Sequence, residues 1–313
     1  MLGKTAGGLF WMFRYLERSE NTARLIEAGF RMALTRPDGT DDEWGSVLQT
    51  ASAAKAYGER HSEIDAARVI DFLLRDKANP SSVMSSIAAA RQNARLVRTA
   101  ITREVWEAVN DTYMILTETL ARPVQARNLP EVLGLVRQQS ALVRGALHGT
   151  MLRNDVFDFA RIGTFLERAD NTARILDVKY YVLLPSITQV GSSLDNVQWE
   201  TILRSVAGQR AYRWINKGEA NPKGIAEFLI FDGRMPRSLK FSIGKIATNL
   251  GYLQSEYGAR HDSHGHVDKL YARLDRLTID RVFEDGLHEF LLEMLQDINS
   301  LGEQISEDYR FLG

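Results

Sequence analysis

Apolar residues recur at steps of three and four along almost the whole chain, and the alternating pattern of a half-buried β-strand is nearly absent. Most of the seven prolines lie where such a helical segment stops. Three segments are long, which is typical of a bundle of extended helices. The expected fold class is therefore all-α, with helices predicted at 8–35, 42–58, 63–75, 81–121, 130–149, 153–184, 197–207, 222–231, 237–259, 266–276 and 280–311.

One signature occurs twice in the chain. The segment YLERSENTARL at 15–25 matches FLERADNTARI at 165–175, at a spacing of 150 residues. A second pair of similar segments, 69–82 and 225–238, follows in the same order at a spacing of 156 residues. Collinear matches with slightly different spacings are typical of a tandem duplication with loop insertions. We expect two helical repeats, 1–150 and 151–313, that form one integrated globule around an approximate two-fold axis.

The second pair of segments ends in Pro-x-Ser in both halves. This stretch predicts a short helix, a turn at the proline, and a long helix whose N-terminus is capped by serine. Ser81 is also a candidate N-cap for the helix predicted at 81–121. We expect this motif to be a structural joint.

The first signature places charged and apolar residues on different sides of one helix. Glu17, Asn21 and Arg24 are spaced by four and three residues, so they form a polar stripe. Glu20 lies four residues before Arg24, which is the favoured order for an intrahelical ion pair. The apolar residues on the other side are Leu16, Ala23, Ile26 and Phe30.

The second signature repeats the stripe with Glu167, Asn171 and Arg174, and Asp170 takes the place of Glu20. Two repeated pairs then remain without a local partner, Glu17-Arg18 and Glu167-Arg168. If the two helices cross near the axis, we expect Glu17 to contact Arg168 and Arg18 to contact Glu167.

This arrangement leaves two interpretations open. The charges could form a reciprocal network of salt bridges that fixes the register between the halves, because buried ion pairs often specify an arrangement more than they stabilise it. Alternatively, they could line a polar pocket that binds an amine, a metal or a peptide end, since charged side chains are costly to bury without a use.

The signature is a poor match to a metal centre. Four-helix di-iron proteins use Glu-x-x-His, whereas the residue three positions after each signature glutamate is Glu20 or Asp170. The neighbouring arginines also disfavour a bound cation. We expect neither a metal nor another cofactor.

Two other clusters have simpler explanations. Three of the six histidines lie in His261-Asp-Ser-His-Gly-His266, which we expect to be a solvated loop between helices. Arg91, Arg95 and Arg98 share a helix face that could bind phosphate, but a solvated face paired with nearby acids is the commoner outcome. No interleaved aromatic residues support stacking on nucleic-acid bases.

Composition narrows the function class. The formal net charge of −1 gives no overall field that attracts nucleic acid or an anionic membrane. The absence of cysteine excludes disulfides and thiolate chemistry within this chain and suits a reducing compartment. The N-terminus does not resemble a signal peptide, and the apolar run at 180–184 is too short to cross a bilayer. We therefore expect a cytoplasmic protein without membrane or nucleic-acid partners.

The duplicated L-E-R-x-[ED]-N-T-A-R-[LI] segments, with Asp177-Val-Lys-Tyr-Tyr181 after the second, resemble the bacterial Alpha-E family over essentially the whole chain. That family has a Glu-Arg motif, which corresponds here to Glu17-Arg18 and Glu167-Arg168. The resemblance implies a role in a peptide synthesis or modification system, with a circularly permuted ATP-grasp ligase and a transglutaminase-like protein as partners.

Two functional hypotheses follow. In the first, the chain is a helical accessory or binding component that works beside the ATP-grasp ligase. In the second, it is an enzyme in which Glu17 and Glu167 carry out acid–base amide chemistry in a shared pocket, which would require one carboxylate with a raised pKa. The sequence identifies no catalytic residue, substrate or oligomeric state.

Overall fold

The computed structural model describes residues 1–34, 42–183, 193–216 and 221–311, without the side chains of 42, 178–183 and 193–197. Within these residues the regular structure is entirely helical, which confirms the all-α prediction. The helices are α1 (Gly3–Ala33), α2 (Asp42–Thr50), α3 (Ala54–Gly58), α4 (Ala66–Leu74), α5 (Val83–Leu96), α6 (Arg103–Thr119), α7 (Leu129–Thr150), α8 (Asp155–Leu183), α9 (Ser193–Ser205), α10 (Gln209–Ile215), α11 (Pro222–Phe231), α12 (Leu239–Tyr257), α13 (Asp262–Arg276), α14 (Ile279–Asp285) and α15 (Leu287–Asp308), with a short 3-10 turn at Ala126–Asn128.

Two long helices, α1 and α8, lie at the centre and pack against each other. Helix α1 also packs on α5 and α7, whereas α8 packs on α12 and α15. Their close approach depends on Gly163, because a Cβ at that position would overlap the backbone carbonyl of Phe10. The two central helices are therefore covered on most sides, and polar residues in their middle turns are removed from solvent.

The serine caps lie where the repeated Pro-x-Ser motif places them. The Oγ of Ser82 accepts the backbone N–H of Ser85 at 3.1 Å at the start of α5. The Oγ of Ser238 accepts the N–H of Phe241 at 3.0 Å at the start of α12. The capping residue of α5 is thus Ser82, and the candidate cap Ser81 is wrong by one position.

The long helix predicted at 81–121 is wrong, because α5 ends at Leu96 and α6 begins at Arg103. The Oγ1 of Thr102 accepts the backbone N–H of Val105 at 3.4 Å and caps α6. Threonine is a favoured N-cap residue, and Thr102 therefore marks where the second helix begins.

The helix predicted at 280–311 is also divided, because Gly286 has a φ of 105° between α14 and α15. A residue in that region of φ interrupts an α-helix, and glycine adopts it without a Cβ clash. Two smaller differences concern short helices. The single helix predicted at 42–58 is two helices, α2 and α3, and no helix was predicted where α10 lies.

The first helix begins at Gly3, five residues before the predicted start. Its first turns pack against the C-terminal end of the chain, where Gly7 lies against the side chain of Phe311. This tertiary contact supports a segment whose composition alone is a poor helix signal.

Among the described residues, no helix is both long and apolar enough to cross a membrane.

Candidate functional site

The two signatures face each other where α1 and α8 cross in the core. Glu17 is 1% exposed and Glu167 is 4% exposed, although both carry a formal charge. Of the predicted core face, Leu16, Ala23 and Ile26 are buried, and Phe30 is partly buried against the core. A carboxylate in such a place is stable only with close partners that bear the opposite charge.

Glu17 is held by Arg168 of the opposite helix. The Nε of Arg168 donates to Oε1 of Glu17 at 2.8 Å, and its Nη2 donates to Oε2 at 2.9 Å. This two-pronged geometry is the strongest arrangement between arginine and a carboxylate. Two further arginines approach the same carboxylate, Arg237 at 3.2 Å and Arg144 at 3.4 Å.

Glu167 is held by α1 in the reciprocal manner. The Nε of Arg18 donates to Oε1 of Glu167 at 2.5 Å, and its Nη2 donates to Oε2 at 2.9 Å. The Nε of Arg14 donates to Oε2 at 2.9 Å. Both contacts predicted between the signatures are therefore confirmed, and the tandem-repeat axis from which they were reasoned stays a prediction.

The intrahelical pairs are confirmed as well. The Nη2 of Arg24 lies 2.8 Å from Oε1 of Glu20, and the Nε of Arg174 lies 2.6 Å from Oδ2 of Asp170. Each arginine also reaches a backbone carbonyl elsewhere in the chain: Arg24 donates to Ser205 at 2.6 Å, and Arg174 donates to Thr50 at 3.4 Å. These arginines thus connect the central helices to α9 and to the end of α2.

The two asparagines of the signatures differ in their hydrogen bonds. Asn21 donates from Nδ2 to the backbone carbonyl of Glu167 at 3.3 Å, and its Oδ1 accepts from Nη1 of Arg237 at 3.2 Å. The Nδ2 of Asn171 is buried and has no hydrogen-bond partner among the residues that the structure describes. The sequence repeat therefore does not produce two identical environments.

The glutamates are held as carboxylates. Burial raises the pKa of Glu17, but the guanidinium groups of Arg168 and Arg237 outweigh it and hold that pKa well below its ordinary value. The balance is the same for Glu167, where burial is outweighed by Arg14 and Arg18. The pKa of Glu20 is also lowered.

Sequence reasoning missed three arginines of this network: Arg14, Arg144 and Arg237. Arg237 donates from Nη2 to Oε1 of Glu20 at 2.5 Å, and Arg144 contacts the other oxygen of that carboxylate. A signal for Arg237 was available, because it occupies the middle of the repeated Pro-x-Ser motif where the first half has Ser81. Arg144 and Arg14 lie outside every repeated segment, so no pattern pointed to them.

A cavity of about 200 Å³ lies between the two signatures. Both acids of the second signature line it, whereas the first signature contributes Arg18, Asn21, Thr22 and Leu25. Its walls come from α1, α8, the end of α2 and the turn before α5. The lining residues that bear on its chemistry are Arg14, Arg18, Ser81, Glu167, Asp170, Asn171 and Arg174.

The other sequence clusters lie away from this region. The solvated loop predicted at His261–His266 is wrong, because α13 begins at Asp262 and His264 is only 3% exposed. The Nε2 of His264 lies 3.0 Å from the carbonyl of Leu250, so this ring joins α13 to α12. Arg91 donates to Oδ1 of Asn110 at 2.9 Å and so links α5 to α6. Within the described part of the chain, no group of three or more histidine and acidic side chains could hold a metal ion.

Comparison with known proteins gives one family and a few uncharacterised relatives. The model of the Alpha-E family, described as a predicted alpha-helical domain with a conserved ER motif, matches residues 1–310. An uncharacterised protein of Mycobacterium bovis and one of Mycobacterium tuberculosis are each 23% identical over 309 residues. The match covers 93% of this chain but 35% of each relative, so the chain spans about a third of their length. No solved structure matches the chain.

Proposed function

Since this chain belongs to the Alpha-E family, we propose that it is a non-catalytic helical accessory component of a cytoplasmic peptide synthesis or modification system. Its partners in this proposal are a circularly permuted ATP-grasp ligase and a transglutaminase-like protein. The single observation that carries the non-catalytic assignment is the reciprocal network around Glu17 and Glu167. In this view, the Glu-Arg motif forms the rigid centre of a scaffold that the partners bind.

The state of the two glutamates supports this proposal over acid–base catalysis. A general acid needs a raised pKa and access to substrate, and a general base needs a free lone pair near the reacting proton. Both oxygens of Glu17 accept hydrogen bonds from Arg168, and the pKa of that carboxyl is lowered. Glu167 is held in the same way by Arg18. The motif therefore resembles a structural ion-pair network more closely than a reacting pair.

The partnership is tested by reconstitution with the ATP-grasp ligase of the same organism. We expect the two purified proteins to co-elute in size-exclusion chromatography with light scattering. We also expect ligase turnover, followed as ADP release, to rise when the full chain is added. Absence of a complex together with unchanged turnover would refute the accessory role.

The catalytic alternative is tested with Glu17→Gln and with Glu107→Gln as a matched surface control. Under conditions where circular dichroism shows that Glu17→Gln is folded, we expect it to support ligase turnover like the wild type. If the folded variant binds the ligase but product formation is lost, Glu17 has a chemical role and the non-catalytic assignment is wrong.

A further inference from the structure

The two Pro-x-Ser motifs place side chains of different size against the central helices, and the cavity lies at the shorter one, Ser81. Thr172 of α8 donates from Oγ1 to the backbone carbonyl of Arg237 at 2.8 Å, and Thr22 of α1 donates to that of Ser81 at 3.4 Å. The two motif residues thus take equivalent places against the two central helices. The buried Arg237 side chain extends to Glu20, whereas the short Ser81 side chain lines the cavity.

The charge that remains accessible on the open side is positive. The side chains of Arg18 and Arg174 keep 24% and 26% of their surface accessible. By contrast, the side chain of Glu167 keeps 5% and that of Asp170 keeps 12%. These two arginine side chains are thus more accessible than the two acids, so a ligand entering the cavity meets mainly hydrogen-bond donors.

Two hydrogen-bond donors on the cavity wall have no acceptor among the described residues. Asn171 is 6% exposed, lines the cavity, and has an Nδ2 without a hydrogen-bond partner. Arg18 uses Nε and Nη2 on Glu167, and its Nη1 makes no hydrogen bond to a described residue. A buried donor without an acceptor, such as Nδ2 of Asn171, has lost its hydrogen bond to water, and a bound acceptor would restore one.

The charged lining residues consist of three arginines, Arg14, Arg18 and Arg174, and two acids, Glu167 and Asp170. Their sum is one positive charge, which a single negative charge balances. Arginine also binds the planar carboxylate group through two parallel hydrogen bonds. We propose that this cavity binds the carboxylate group of a small molecule or of a peptide C-terminus. The site does not depend on the ligase partnership proposed above.

The proposal is tested by a titration that observes the site itself. The full chain is labelled with nitrogen-15 in its asparagine side chains, and the resonance of Asn171 is assigned with Asn171→Ser. The probes are N-acetyl-L-alanine and its neutral amide, which differ only in the carboxylate, together with guanidinium chloride and inorganic phosphate. We expect N-acetyl-L-alanine to shift the Asn171 resonance saturably, with a dissociation constant at least about tenfold lower than that of the amide.

The structure supplies the blocking variant. Ser81→Arg places in the cavity the same side chain that Arg237 has at the equivalent motif position. We therefore expect this variant to abolish the shift. Thr117→Arg adds the same charge on an exposed face of α6 and is expected to bind as the wild type does. If Ser81→Arg does not fold, Ala51→Leu narrows the cavity from the end of α2 and must weaken binding.

Four results would overturn the carboxylate site. The first is equal binding of the acid and its amide, and the second is the absence of a saturable shift with any probe. The third is tighter binding of guanidinium or phosphate than of the carboxylate. The last is unchanged binding in both cavity-filling variants.

Discussion

Replacing Glu17 by glutamine tests how much the central network contributes to stability. The change removes one negative charge and preserves the shape of the side chain. It leaves three guanidinium groups, those of Arg168, Arg237 and Arg144, around a neutral amide in a place that is 1% exposed. Removing one partner from a buried ion pair destabilises a protein by about 3–5 kcal/mol, because the remaining charge stays desolvated. We expect a loss of that size.

The two glutamates should not be equivalent in this test. Glu167 has two arginine partners instead of three, and one of them, Arg18, keeps 24% of its side chain accessible to water. Part of the stranded charge can therefore be hydrated, and we expect Glu167→Gln to cost about 2–3 kcal/mol. Glu107→Gln removes a pair on the surface, where Arg103 is 84% accessible, and should have no measurable effect.

The assay is urea unfolding at neutral pH, followed by circular dichroism and tryptophan fluorescence. Coincident transitions with an unchanged slope are required before midpoints are converted to free energies. The expected order of destabilisation is Glu17→Gln, then Glu167→Gln, then Glu107→Gln. If Glu17→Gln unfolds at the same urea concentration as Glu107→Gln, the network does not stabilise the central helices and the reasoning is refuted.

Three further predictions concern other parts of the molecule. Burial, and after it two nearby carboxylates, raise the pKa of Asp158 to about 7 from 3.8. Between these pH values the folded state binds more protons than the unfolded state, so the free energy of unfolding falls as pH rises through that window. The melting temperature of Asp158→Asn should lack this pH dependence. A pH profile identical to that of the wild type would contradict the prediction. Gly163→Ala should strongly lower the melting temperature, because its Cβ would overlap α1, whereas Gly145→Ala in open space should be neutral or stabilising; equal effects would contradict the close approach. Thr102→Ala should cost about 1 kcal/mol in urea unfolding through loss of the α6 cap, and Thr102→Ser should restore most of it.

The pairing of the two signatures could be predicted because local partners account for only part of their charge. Glu20 and Arg24 satisfy each other within one helical turn, so the remaining charges of Glu17 and Arg18 need partners elsewhere. The second copy offers the complementary residues in the same order. Repetition and charge balance were therefore sufficient to predict a contact between residues 151 positions apart, Glu17 and Arg168.

The rest of the site depends on information that local patterns do not contain. Arg237 lies 217 positions from Glu20, and Arg144 lies 124 positions from it. Nothing in the spacing of charges along the chain indicates that these residues meet. The break between α5 and α6 was missed for a related reason, since the apolar period continues through it and the cap at Thr102 marks only the start of the second helix.

The burial of His264 is another case in which tertiary contacts override the local sequence pattern. Polar residues around it predict a solvated loop, yet the packing of α13 on α12 encloses the ring and supplies the carbonyl of Leu250 as a partner. A buried polar residue is accepted when its hydrogen bonds are satisfied. Those hydrogen bonds depend on tertiary contacts, which the local composition does not specify.

The two sides of the network differ in what neighbours their carboxylates. Beside Glu17 and Glu20 it is a side chain of the protein, Arg237, and beside Ser81 we propose a free ligand. Around Glu17 and Glu20, three arginines other than Arg237 already outnumber the two acids. Burial in these surroundings lowers the pKa of Arg237 to about 9. A side chain can occupy such a place because folding fixes it there, whereas a free ligand must bind through its own favourable interactions. On the side of Ser81 the arginines again outnumber the acids by one, and no side chain of the described residues fills the cavity. An anion is the occupant that such surroundings attract, and for this reason we propose a ligand site on the side of Ser81 and a structural support on the side of Arg237.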